Sequence, residues 1–342
     1  MKIYFIREKN SNFGGAENYL SRLSKSLESK EIEHEVINSP FPKFLPSWVR
    51  VILFNLYLCI IKKGKFFFSL ERIYCPDIYR AGDGVHRVFM KNLAKSKINP
   101  LHIILLFLEK RCFHSAKLII ANSKMVKKDI IVNYGVNPNK IMIIYNGVEL
   151  VKKRPINKKY FLELNNLNHV SIKKKIFLFV GNGFERKGLE SFLEILTNLN
   201  KNLFHAFVIG HDKKIQDYIS LARNIGLAEN VNYLGNRKDV NDFYQISDFV
   251  ILPTRYDPFS NVILEAMFFK NIVITTKQNG AHEILDKKWV MNSFKDFSIS
   301  KEINGIIKND QLITKLQQSN YLIAKSFSIE KNSKKTLECI GC

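Results

Sequence analysis

Short, mostly apolar runs recur along the chain, each followed by a polar loop and then an amphipathic stretch. Ile3–Ile6, Glu35–Ile37, Lys117–Ala121 and Ile141–Ile144 form a first series. Ile176–Val180, Ala206–Ile209, Val231–Leu234, Phe249–Leu252 and Ile272–Thr275 form a second. Runs of this length, apolar on both faces, suit strands of a parallel sheet covered by crossover helices. The pattern therefore predicts α/β architecture, with a helix over Glu17–Ser29 and another from about Leu189. The C-terminal stretch reads as two helices, Gln311–Lys325 and Ile329–Leu337, broken near Ser326-Phe327-Ser328.

The two series are separated by Glu149–Lys175, a lysine-rich stretch with Pro155 and no clear period. At roughly 150 residues per domain, a chain of 342 residues holds about two. The expected division is residues 1–155 and 156–325, with the helix of about 326–342 packing back on the first domain. Ligands are expected at the carboxyl ends of the strands, in a cleft between two α/β/α domains.

Composition adds little, at 46% hydrophobic and 25% charged, but charge adds a good deal. The chain carries 53 Lys and Arg against 31 Asp and Glu, a net +22. Such an excess favours an anionic partner: nucleic acid, an anionic membrane surface or a phosphorylated substrate. The excess is uneven. Between Val36 and Lys128 stand 17 basic residues against Glu71, Asp77, Asp83 and Glu109, a local +13. That window also holds the most apolar segments. Val49–Ile61 is followed by Lys62, Lys63, Lys65 and Phe66-Phe67-Phe68. Leu101–Leu108 lies between Lys91, Lys95 and Lys97 on one side and Lys110-Arg111 on the other. Apolar helices with basic flanks suit an interfacial position on anionic lipid. The plainer reading is core helices whose ends are solvated by lysine. Neither segment approaches the ~20 apolar residues that a membrane span needs.

The five cysteines are scattered, which argues for reduced thiols and a cytosolic chain. Cys339-Ile-Gly-Cys342 has CxxC spacing without a second pair and reads as incidental. Met1–Ile6 is too short for the apolar core of a secretory signal and reads as the first strand.

Three segments carry candidate chemistry. Phe13-Gly14-Gly15-Ala16-Glu17 joins the first strand to the first helix, where glycines let a ligand approach the backbone and a helix N-terminus faces an anion. Val180-Gly181-Asn182-Gly183-Phe184-Glu185-Arg186-Lys187-Gly188 runs from a buried strand into a glycine loop that delivers two adjacent cations. That arrangement suits a diphosphate, although it lacks P-loop spacing. Asp257-Pro258-Phe259-Ser260-Asn261-Val262-Ile263-Leu264-Glu265 places a carboxylate on each side of a helix start. Carboxylates there suit sugar hydroxyls, and the helix N-terminus suits phosphate. Each segment also has a bland reading as a turn with solvated charges.

Taken together and in this order, the segments resemble the family 4 retaining glycosyltransferases of the GT-B fold. The matches are Gly14-Gly15, Lys187-Gly188 and the acidic pair Asp257…Glu265. Ile119–Ser123, Ile144–Val148, Thr275-Thr276 and Asn279–Glu283 also fit. Within that family the chain is most similar to the branch that glucosylates a heptose of the bacterial lipopolysaccharide core.

The resemblance implies two Rossmann-like domains facing across a cleft and a UDP-sugar donor, UDP-glucose first. It implies a lipopolysaccharide core glycolipid acceptor and no required cofactor or metal. It also implies a peripheral position on an anionic membrane surface, at the inner face of the inner membrane. By the same resemblance Glu265 binds the donor ribose and Asp257 its hexose. Arg186 and Lys187 hold the leaving diphosphate. Gly14, Gly15, Gly183, Phe259, Ser260, Asn261 and Val262 line the donor, and Asp83 or His86 serves the acceptor.

Two departures are visible. Asp257 replaces a glutamate, and the glycine loop has Asn182 near the place of a common arginine, whose work would fall to Arg186. The competing readings are a GT-B nucleotide-sugar epimerase and a basic nucleic-acid-binding protein. The apolar, basic 36–128 window argues against the first. The lack of an RNP-like or zinc-finger signature argues against the second, so no nucleic acid partner is expected.

Overall fold

The computed structural model describes residues 2–8, 15–93, 99–151 and 154–341. The chain divides into two compact units, Met1–Asn146 with Ile329–Cys342, and Gly147–Ser328. The first unit thus closes at Asn146 rather than at 155. Residues 147–155 belong to the second, where the Val148 N–H donates to the Phe327 carbonyl at 2.8 Å.

The first unit contains β1 (Ile3–Ile6), α1 (Gly15–Glu28), β2 (His34–Ile37), α2 (Ser47–Ile61), β3 (Phe66–Ser69) and β4 (Ile78–Ala81). It continues through α3 (His86–Asn92), α4 (Pro100–Ser115), β5 (Leu118–Ala121), α5 (Lys124–Tyr134) and β6 (Ile141–Ile143). The strands form one parallel sheet in the order β2-β1-β3-β4-β5-β6. Strands β3 and β4 were not expected from the sequence. Successive residues point to opposite faces. Ile3, Phe5 and Phe68 therefore meet Leu20, Leu23 and Leu27 of α1, while Ile6 and Phe67 meet Phe54 and Leu58 of α2.

The second unit contains α6 (Lys158–Leu164), β7 (Lys175–Val180), α7 (Phe184–Lys187), α8 (Leu189–Thr197), β8 (Phe204–Ile209), α9 (Ile215–Asn224) and β9 (Val231–Gly235). Next come α10 (Val240–Ile246), β10 (Phe249–Leu252), α11 (Asn261–Phe268), β11 (Ile272–Thr276), β12 (Val290–Met291), α12 (Ile299–Ile306) and α13 (Asp310–Ser326). Its parallel sheet runs β12-β11-β10-β7-β8-β9. The last helix, α14 (Ile329–Ile340), belongs to the first unit. Leu337 and Ile340 join the core beneath α1, and the Thr336 hydroxyl lies 3.1 Å from that of Tyr19.

The two sheets are wound differently. In the second, β7 is flanked by β8 and β10, so the chain reverses its direction of growth between β7 and β10. In the first, the reversal falls between β1 and β3. Open α/β sheets bind ligands at the carboxyl ends of strands beside such a reversal. No helix of the described residues is long and apolar enough to cross a membrane.

Candidate active site

At the reversal of the second sheet, β7 leads through Gly181, Asn182 and Gly183 into the single turn α7, then Gly188 and α8. Gly183 and Gly188 have φ of +73° and +81°, the left-handed region that glycine occupies without strain. At Gly188 a Cβ would collide with the Pro253 carbonyl. The Arg186 carbonyl accepts from the Arg255 N–H and the Thr254 hydroxyl, both at 2.8 Å. The loops after β7 and β10 are thereby joined, and Arg186 and Lys187 are delivered to the start of α11.

There they meet Asp257. The Lys187 ammonium is buried; its Nζ donates to Asp257 Oδ2 at 2.7 Å and to the Ser260 hydroxyl at 3.3 Å. Arg186 Nη1 donates to the same Oδ2 at 3.1 Å. Burial pushes the Asp257 carboxyl up, but Lys187 and Arg186 outweigh it and hold the group below the usual carboxylate range. Burial lowers Lys187; Asp257 opposes that and Arg186 reinforces it, leaving the ammonium below its ordinary value.

The carboxylate is itself braced. Its Oδ1 accepts from the Phe259 N–H at 3.2 Å, and its backbone exchanges bonds with the Gln278 carbonyl and the Gly280 N–H, each 2.9 Å. Asn279 completes the frame. Its Oδ1 accepts from the N–H groups of Ser260 and Ala281, and its Nδ2 donates to the Thr275 hydroxyl.

Helix α11 starts after Ser260. Glu265 lies on its second turn, half-buried, and Oε2 accepts from the Tyr244 hydroxyl at 3.2 Å. Phe259 is buried, whereas Asn261 and Val262 are half-exposed in the loop–helix junction. The structure thus brings Arg186, Lys187, Asp257 and Ser260 into contact and sets Glu265 farther along the same helix. Sequence reasoning missed Tyr244 and Thr254, and it gave Asn279 no role of its own. Asn279 was visible as the first residue of the Asn279–Glu283 segment, whereas Tyr244 and Thr254 left no signal.

The first unit holds a second polar cluster. Gly15 begins α1, while Gly14 lies outside the described residues. Beyond β1, Arg7 pairs with Glu17 at 2.8 Å and with Glu71 at 2.6 Å. Asp83 is exposed on the turn between β4 and α3, where Gly84 has φ of +69°.

His86 opens α3 and is buried. Its Nε2 is 3.0 Å from His102 Nδ1, and its ring stacks on Phe89. Burial lowers its imidazolium to about 4, helped by nearby Arg72 and His102 against Glu109, so the ring is neutral at pH 7. Glu109, fully buried, accepts from the His86 N–H at 2.6 Å, the Arg87 N–H at 3.2 Å, Arg72 Nε at 2.9 Å and the Tyr134 hydroxyl at 2.5 Å. Arg72 Nη2 in turn donates to the Gly84 carbonyl at 2.9 Å. Arg72, Glu109 and Tyr134 were not foreseen.

Among the described residues, no group of three or more His, Cys, Asp or Glu could hold a metal ion. Cys339 Sγ lies 2.9 Å from Met142 Sδ, and Cys342 lies outside the described residues.

Comparison with known proteins agrees with this architecture. Residues 66–152 match the family profile described as Glycosyltransferase Family 4, and residues 166–323 match Glycosyl transferases group 1. The lipopolysaccharide glucosyltransferase WaaG of Escherichia coli K12 is 28% identical over 180 residues, covering 50% of this chain and 47% of that protein. A Campylobacter jejuni N-acetylgalactosaminyltransferase acting on a diphospho-undecaprenol-linked sugar is 26% identical over 198 residues, 58% of this chain and 50% of its own. The chain's alignment spans about half the length of these curated relatives.

Among solved structures, WaaG superposes with a TM-score of 0.82 at 18% identity, covering 99% of both chains. Anabaena HepE, solved with UDP and glucose, gives 0.75 at 18% identity, covering 100% of this chain and 99% of its own. With both profiles matched in order and the fold shared from end to end, the chain belongs to the family 4 glycosyltransferases of the GT-B fold.

Proposed function

We propose that the protein is a retaining hexosyltransferase. It moves a hexose, glucose first, from a UDP-sugar to a lipopolysaccharide or lipooligosaccharide core glycolipid. The work is done against an anionic membrane surface, on the cytoplasmic side of a bacterial inner membrane. The observation that carries this reading is the buried Lys187–Asp257–Arg186 cluster at the sheet reversal, beside the start of α11.

In this reading Asp257 keeps two cations in place and half-desolvated before the donor arrives. Diphosphate oxygens then accept from Lys187, Arg186 and the first turn of α11, while Asp257 and Glu265 take hexose and ribose hydroxyls. As the bond from the anomeric carbon to the phosphate oxygen breaks, charge builds on the diphosphate, and these fixed donors stabilise it without reorganising. The acceptor hydroxyl forms the new bond on the same face, and its proton passes to the leaving phosphate oxygen. Asp83 orients that hydroxyl. The donor assignment is supported by the WaaG relative and by HepE, whose structure holds UDP and glucose. The membrane assignment is supported by exposed Leu56, Ile60, Ile103 and Phe107 within the basic window.

Incubation with UDP-[14C]glucose, with and without truncated lipopolysaccharide ending in heptose, tests this. Label should enter the lipid only when acceptor is present. Free epimerised sugar, or RNA binding without turnover, would replace the proposal with one of its competitors. Glu265→Ala should abolish transfer while leaving sedimentation with anionic vesicles intact.

A further inference from the structure

We propose that the trough between α2 and α4 is a binding site for one acyl chain of an anionic phospholipid. The proposal rests on the membrane-surface part of the reading above and is independent of the transfer reaction. The trough encloses about 620 Å³, and Ile52 and Leu56 of α2 face Ile103 and Phe107 of α4 across it. Ligand cavities commonly run from about 300 to 1,000 Å³. Leu56, Ile103 and Phe107 are each more than half exposed, so this apolar wall is open to solvent. Contiguous exposed apolar surface of this kind marks an interaction site.

Ile52, Leu56, Ile103, Ile104, Phe107 and Leu108 make up most of the wall, and its one amide side chain is already engaged. Asn55 Nδ2 donates to the Val51 carbonyl at 2.9 Å, and its Oδ1 accepts from the Tyr74 N–H at 2.9 Å. Each end of that amide already has a backbone partner, and the rest of the wall is mainly hydrocarbon.

Charge selects the rest of the ligand. Phe107 also borders a second hollow lined by Lys110, Arg111 and His114. Neither Lys110 nor Arg111 forms an ion pair with a described residue. The Arg111 guanidinium stands 5.4 Å from the Tyr74 ring and 5.8 Å from the Phe107 ring, at the junction of the two hollows. An apolar slot joined to a basic one matches an amphiphile with a single chain entering the slot and an anionic headgroup outside it. Each methylene buried there adds to the affinity, so a chain in the slot holds a lipid without a span.

Monomeric lysophosphatidylglycerol, kept below its micelle threshold and titrated into the full chain by calorimetry, tests this directly. Saturable binding of one lipid per protein is expected. Leu56→Asp and Ile103→Asp, both at open positions and checked for folding by circular dichroism, should weaken it at least about tenfold, because a carboxylate would then stand in the slot. The double variant Lys110→Glu/Arg111→Glu should weaken lysophosphatidylglycerol binding while sparing lysophosphatidylcholine. No saturable binding, or binding unchanged in both Asp variants, overturns the site. Equal affinity of the wild type for the two headgroups overturns its anionic half. Retained sedimentation with anionic vesicles alongside absent lysolipid binding would sink the trough and leave the membrane reading standing, whereas transfer activity bears on neither.

Discussion

Lys187 and Asp257 are seventy residues apart in sequence, and their Nζ and Oδ2 atoms are 2.7 Å apart in a buried site. Each is the other's main compensation for lost water. The pair is worth little to stability compared with a well-packed apolar substitute, but breaking it strands a charge. Asp257→Ala leaves Lys187 buried with only the Ser260 hydroxyl as a partner, and it leaves Arg186 a carbonyl 3.3 Å away. We expect a loss of about 3 kcal/mol, at the low end for such pairs because Lys187 can shed its proton. Urea denaturation measures it. Turnover with the UDP-sugar should fall by two to three orders of magnitude, roughly the effect of removing one preorganised donor group. Lys187→Met should lose comparable activity with a smaller stability cost, since Arg186 still pairs with the carboxylate.

Gly188→Ala tests the loop rather than the charge. The residue sits at φ +81° with its would-be Cβ against the Pro253 carbonyl, so both backbone strain and collision oppose the change. A loss of about 2 kcal/mol or more is expected. Because Lys187 precedes it, the displaced turn should also lower donor affinity. Gly183→Ala has the same positive φ with open space around its Cβ, and it should cost only about 1 kcal/mol. Thermal unfolding of the two variants side by side separates collision from strain.

The particulars show where local pattern ends. Strands such as Phe249–Leu252 and Ile176–Val180 are visible because burial on both faces leaves an unbroken apolar run. The glycine loop and the Asp257–Glu265 segment are visible because their chemistry is contiguous. Strand β4 was missed because Arg80 interrupts it, yet that guanidinium is buried against the Tyr19 ring at 3.8 Å and donates to Asn146 at 2.8 Å. Strand β3 was absorbed into the apolar, basic window that precedes it. What gives Asp83 its setting, Glu109 and Arg72, and what braces Glu265, Tyr244, come from other elements brought together only by the sheet topology. No periodicity along the chain encodes those meetings.

Tyr244→Phe probes one of them. The hydroxyl donates to Glu265 Oε2 at 3.2 Å from α10, a long and single contact. Its removal should cost about 1 kcal/mol of orientation, a rise of roughly five- to tenfold in KM for the donor with kcat little changed. Glu265→Gln should depress both parameters, because it alters the group that takes the ribose hydroxyls rather than the one that steadies it. Steady-state kinetics with varied UDP-sugar tells the two apart.

His86 sets an acid limit on the first unit. Its folded pKa of about 4 lies below the ordinary 6.5, so between those values the unfolded chain binds more protons than the folded one. Stability is therefore fully present above about pH 6.5 and is lost as pH falls toward 4. A loss of about 1–3 kcal/mol is expected over that window. His86→Gln should flatten the dependence of the urea midpoint between pH 7 and 4.5. The same burial, with Nε2 beside His102, makes this imidazole a poor proton carrier at neutral pH. Turnover at pH 7.5 should accordingly survive His86→Gln within about tenfold, while Asp83→Asn should lower it about 100-fold or more. The reverse order would move the acceptor-side role from Asp83 to His86.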